Sequence, residues 1–253
     1  MLVASACVFD SGRRATIDVN VAAASSYVFR GQTFTTEPVA QLDTGIHLPV
    51  RDGGTATVGA FGNLDLSDHV GDAWAARDHG GEFTQLDLLA SYGRRIGDFD
   101  LSGGLRHYSW PAGEEFPNGR FPATTEAFAR AGVDALGCTA AVAVHYDIDE
   151  VHGLYVQGEL ARQFGLGKSV FLEARAWLGW SDGDHGWWLY STHAAGLADL
   201  GGEIAVRWDC DDVTAVRLGV LGSTILDSAY RDWFATGVDA DVVWATIGVG
   251  WHF

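Results

Sequence analysis

From residue 15 to the last residue the chain keeps a two-residue rhythm. Ile17, Val19, Val21, Ala23, Tyr27 and Phe29 are apolar, and Thr16, Asp18, Asn20 and Ser26 between them are polar. Side chains point alternately to the two faces of a strand, so such a segment has one apolar and one polar face. The pattern predicts strands over 15–29, 39–50, 55–66, 82–94, 99–110, 124–135, 138–146, 152–163, 169–180, 194–208, 213–224 and 241–253. That is about twelve strands, an even number as in bacterial transmembrane barrels.

The last stretch, DVVWATIGVGWHF, carries the pattern to the carboxyl terminus. Val243, Ala245, Ile247, Val249, Trp251 and Phe253 share one face, while Thr246, Gly248, Gly250 and His252 share the other. Thr246, Gly248, Trp251 and Phe253 resemble the closing-strand signal of bacterial outer-membrane barrels. An edge strand of a sandwich is the competing reading, but edge strands usually carry charge or proline.

No run approaches the roughly eighteen apolar residues of a spanning helix. A chain that crosses a membrane without such helices must close its sheet, because lipid offers no partner to an unpaired backbone group. The expected fold is therefore all-β, a closed antiparallel up-and-down transmembrane β-barrel of about 12 strands. Links after strands two, four, six, eight and ten are short, whereas those after one, three, five, nine and eleven are long; only the link after seven breaks the pattern. Barrels of this kind have short periplasmic turns and long external loops, which predicts periplasmic termini. Tyr27, Phe29, Tyr146 and Trp180 are expected to form an aromatic girdle at the loop ends, and Tyr92, Phe99, Trp208, Trp251 and Phe253 one at the turn ends.

The formal charge of −17 opposes nucleic acid as a partner. Gly is abundant at 33 and Pro scarce at 5, which suits many strands joined by tight turns. Cys7, Cys138 and Cys210 lack metal-ligand spacing, and the last two fall at turns too far apart for a disulfide, so free thiols are expected. Residues 1–12 read as a residual export leader ending near Ala4-Ser5-Ala6, with Cys7 as an alternative lipid-attachment point, and residues 13–253 as the barrel.

Ser25-Ser26-Tyr27-Val28-Phe29-Arg30-Gly31-Gln32-Thr33, followed by Pro38 and Gln41, resembles the opening of the TorF-type porins, a family of proteobacterial outer-membrane proteins. Leu42 and Asp43 depart from the small residues expected after that glutamine. The resemblance implies an outer-membrane location in a Gram-negative bacterium and a passive pore.

The inward polar face carries both signs. Arg30, Arg106, Arg130, Arg175, Arg207 and Arg217 are expected to line the lumen with Asp43, Asp65, Asp87, Glu126, Glu159, Glu173 and Glu203, alongside Asp18, Asp134 and Asp199. Single charges there need water or ion pairs, so the lumen is either a narrow polar pore or a plugged barrel. The pore is the favoured reading, with transport of small solutes or ions, and the slight acid excess suggests a mild cation preference. A plugged barrel would act through its external loops in structure, binding or adhesion. Asp68, His69, Asp72, Asp78 and His79, or Asp182, Asp184, His185 and His193, would be the groups to hold a divalent ion, though neither set has the spacing of a known metal loop. A hydrolase would draw on His145, Ser109 and Ser223, but no nucleophile motif surrounds them. No enzyme, metal or cofactor is expected. The implied partners are outer-membrane lipid and lipopolysaccharide, the barrel-assembly machinery, and small solutes or ions.

Overall fold

A computed structural model describes residues 14–67, 80–111, 115–116, 119–120, 122–234 and 240–253. Twelve strands form one closed barrel. In chain order they are β1 (Thr16–Ala24), β2 (Val39–Pro49), β3 (Thr55–Asp65), β4 (Phe83–Ile96), β5 (Phe99–Ser109), β6 (Thr124–Ala135), β7 (Cys138–Asp147), β8 (Leu154–Gly165), β9 (Val170–Ser181), β10 (Gly196–Asp209), β11 (Thr214–Ile225) and β12 (Asp241–His252). Each pairs antiparallel with its sequence neighbour, and β1 closes the sheet on β12 from Asp18↔His252 to Ala24↔Thr246. Among the described residues no helix is long and apolar enough to cross a membrane.

Alternation fixes which face is which. Leu88, Ile204 and Val243, from three different strands, are 62% exposed or more on the outside. A continuous apolar belt of this kind is stable against hydrocarbon rather than water. Tyr92, Phe99, Trp208 and Phe253 lie exposed at its turn end, with Tyr146 exposed at the loop end. Cys138 and Cys210 are free thiols, as their spacing implies, whereas Cys7 and residues 1–12 lie outside the described residues.

One expectation fails at the first connection. The strand predicted over 15–29 ends at Ala24, and Tyr27–Phe29 instead pairs with Gln32–Thr35 in a separate small hairpin. Tyr27 and Phe29 are buried, so neither belongs to a lipid-facing girdle. The hairpin turns at Arg30 and Gly31, with φ of 49° and 82°. Positive φ at both central residues is the tight turn that matches strand twist. Gly31 meets that need freely; Arg30 holds a strained conformation that side chains ordinarily avoid.

The loop from 182 to 195 also does more than connect. It holds α1 (Gly183–Tyr190), whose N-cap Asp182 accepts a hydrogen bond from the His185 amide. A second short helix, α2 (Ser228–Phe234), follows β11. The link between β7 and β8, short for a loop on this side, is drawn in by Asp147. Its carboxylate accepts from the Thr124 hydroxyl and from the amides of Asp149, Val151 and His152.

Candidate functional site

The lumen has two halves. At the loop end it is filled by the first-loop hairpin and by α1. Phe34 stacks between Tyr27 at 5.5 Å and Trp110 at 5.3 Å, and Phe29 meets Tyr108, Trp110 and Trp188 edge-on within 6.3 Å. Leu189 and Tyr190 of α1 and Tyr230 of α2 have no exposed surface. Aromatic packing of this extent makes the cluster a solid plug rather than a loose loop.

The Arg30 guanidinium ties the plug to the wall, as does the Tyr27 hydroxyl, which donates to Gln85 of β4. The strained turn aims Arg30 at Glu126 of β6, and the two form a bidentate pair with both N···O distances 2.6 Å. Glu126 also accepts from the Tyr108 hydroxyl at 2.9 Å. The face of Tyr155 lies 4.4 Å from the Arg30 guanidinium carbon, and the Tyr190 hydroxyl donates to the Arg30 carbonyl. Burial opposes the charge of Arg30, but the Glu126 carboxylate outweighs it and holds the proton more firmly than usual.

His185 of α1 completes the latch. Its Nε2 lies 2.8 Å from Arg30 Nη1. Arginine can only donate, so Nε2 accepts and the imidazole proton sits on Nδ1. Burial and the adjacent guanidinium hold His185 well below its ordinary pKa. Nδ1 itself is buried without a hydrogen-bond partner.

Below the plug, toward the short turns, lies a chamber of about 700 Å³ roofed by Phe29, Arg30 and Gly31. The inner face from β6 to β11 carries an unbroken ion-pair ladder, of which Arg130, Glu159 and Arg175 line the chamber. Arg130 contacts Glu159, which contacts Arg175, then Glu203, Arg217, Glu173, Arg207 and Asp209, with successive N···O distances between 2.7 and 3.6 Å. Four guanidiniums meet four carboxylates, so this wall is close to neutral. Arg207 and Arg217 are direct cross-strand partners of like charge. Glu173 resolves the conflict by reaching both, over the small side chain of Ala205 that lies between β9 and β11.

The other wall differs. Asp18, Asp43 and Asp87 face the chamber with Arg106. Asp18 accepts from both His47 and His252, and Asp87 accepts from the Gln85 amide. Arg106 makes no ion pair among the described residues. Asp65, placed with the lumen residues by its spacing, is buried at the loop end, where it accepts from the Ser67 amide.

The sets weighed for other chemistry do not assemble. His145 faces inward 3.4 Å from Glu126, while Ser109 lies on the outer face bonded to the Leu86 carbonyl and Ser223 lines the chamber without a hydrogen-bond partner. Asp182 caps α1 and His185 is locked to Arg30, leaving His193 beside Asp184 at 3.7 Å; no metal-binding group of three forms among the described residues. The other acidic set, Asp68 to His79, lies outside them.

No protein-family model matches the chain, and no curated protein does. Solved structures do. The COG4313 outer membrane channel from Pseudomonas putida F1 is similar over 94% of this chain and 95% of that one, with TM-score 0.58 and 11% identity. The NanC porin matches over 93% and 98%, with TM-score 0.53 and 8% identity. The KdgM porin matches over 94% and 99%, with TM-score 0.50 and 10% identity. The chain has the fold of outer-membrane porins. At such low identity the porin fold alone is shared, and the plug, ladder and acidic wall must be read from this chain's own residues.

Proposed function

We propose that the protein is an outer-membrane channel for passive diffusion of small polar solutes or ions, held shut at its loop end by the hairpin of residues 27–35. The observation that carries this reading is the chamber: a space of about 700 Å³ lined with charged side chains inside a closed barrel. A barrel built only as a scaffold has no need of it, since small barrels fill their interior with side chains. The short turns and both termini face the periplasm, and the loops face outward. Lipid and lipopolysaccharide surround the apolar belt, and the barrel-assembly machinery engages the closing strand. The resemblance to TorF-type porins lies in residues 25–33 with Pro38 and Gln41, and it includes the segment that folds into the lumen and supplies Arg30.

A second reading, a permanently plugged barrel that works through its loops, draws on the dense aromatic packing around Phe34. Single-channel recording of purified protein in planar bilayers separates the two. Discrete ohmic steps support the channel. Silence that persists after the hairpin is removed overturns it.

A further inference from the structure

The charges that face the chamber are not distributed evenly, and the register explains how. On the β6–β11 wall, every arginine of the ladder is within ion-pair distance of a carboxylate. Charges cancelled over about 3 Å present little field to an ion passing at several times that distance. Arg30 and Glu126 cancel in the same way at the roof.

Across the chamber, cancellation is incomplete. Asp43 pairs in register with Phe61, and Phe61 with Asp87, so two carboxylates of β2 and β4 flank one aromatic ring on the inner face of β3. Neither makes an ion pair among the described residues. Arg106 of β5, in register with Leu89 two residues along β4 from Asp87, lines the chamber beside them, one charge against two. Asp18 of β1 adds a third carboxylate, hydrogen-bonded to two histidines. Gly45 and Gly59 line the same chamber, two residues along from Asp43 and Phe61.

Resting on the channel reading above, we propose that Asp43 and Asp87, with Arg106 as their tethered counter-ion, set the sign of the permeant ion, so that the channel selects cations and passes them along the β1–β5 wall. Fixed rings of acidic side chains select cations by replacing part of their hydration and repelling anions. Arg106 tempers that field, so that a cation is not held too tightly to leave.

Reversal potentials in a potassium chloride gradient test this. The wild type, with the hairpin open or removed, is expected to favour potassium over chloride severalfold. D43N/D87N brings the ratio close to unity, and R106Q raises it above wild type. The neutral pair exchange R217Q/E203Q in the ladder leaves it nearly unchanged, which controls for general disturbance of the lumen. An unaltered reversal potential in D43N/D87N, or a shift toward chloride in R106Q, overturns the assignment while leaving the channel intact. Absence of current overturns the channel reading instead. In that case saturation transfer from micellar protein to tetramethylammonium still reads the acidic wall: transfer lost in D43N/D87N supports its affinity for cations, and transfer that is absent or unchanged refutes it.

Discussion

At the scale of single residues, Arg30 joins Glu126, His185, Tyr155 and Tyr190 at one point in the lumen. Its backbone conformation is unfavourable by about 1–3 kcal/mol, and the bidentate contact with Glu126 holds it there. Removing one member of a buried pair is destabilising by roughly 3–5 kcal/mol, because the other is left charged and dry. Arg30→Ala is therefore expected to release the hairpin, raising open probability in bilayer recordings while the barrel stays folded. E126Q has the same direction and a smaller effect, since the amide oxygen still accepts one of the two bonds.

His185 gives this latch a proton dependence with a definite sign. In the closed state the imidazole is neutral and accepts from Arg30, while Glu126, His145 and Tyr155 face it from the wall. Its value is depressed when closed and ordinary when the loop is released into water. The closed state is thus fully stable above about pH 6.5 and loses stability as the pH falls below it. Conductance is expected to rise between pH 7.5 and 5. H185Q, which keeps an acceptor but cannot titrate, is expected to flatten that rise.

At the scale of elements, replacing residues 25–38 with Asn-Gly joins Ala24 to its cross-strand partner Val39 by a two-residue turn. The barrel is expected to keep its strand content by circular dichroism and to conduct more than the wild type. Gly104→Val tests the opposite kind of element. A Cβ at Gly104 lies 2.2 Å from the Ala90 carbonyl oxygen and 2.7 Å from Ser91 Cα, backbone that cannot yield without parting β4 from β5. This variant is expected to lose the compact, heat-sensitive gel mobility of a folded barrel.

These elements also mark where sequence reading succeeds and stops. Alternation located the barrel strands because lipid and lumen impose opposite chemistry on consecutive residues. It misplaced Tyr27 and Phe29 because a packed aromatic plug is as apolar as a membrane, so the rhythm continues across a change of environment. The turn at Arg30-Gly31 carried the only local signal of reversal, and Trp187-Trp188 beside an Asp cap was the corresponding hint for α1. Inward charges such as Glu173 and Arg217 were legible one at a time. Their contact was not, since it bridges β9 and β11 over β10 and depends on register and on the small size of Ala205.

At the scale of the whole molecule, the barrel is joined by pairing its first strand with its last, Asp18 opposite His252. Nearly the entire chain forms the loop that this contact closes, and such long-range pairing is slow because its entropy must be met before any bond rewards it. Without β12 to pair with, β1 and β11 would each present an unpaired rim. A chain lacking Asp241–His252 is expected to have no seam and to remain open to proteolysis, whatever the state of its other strands.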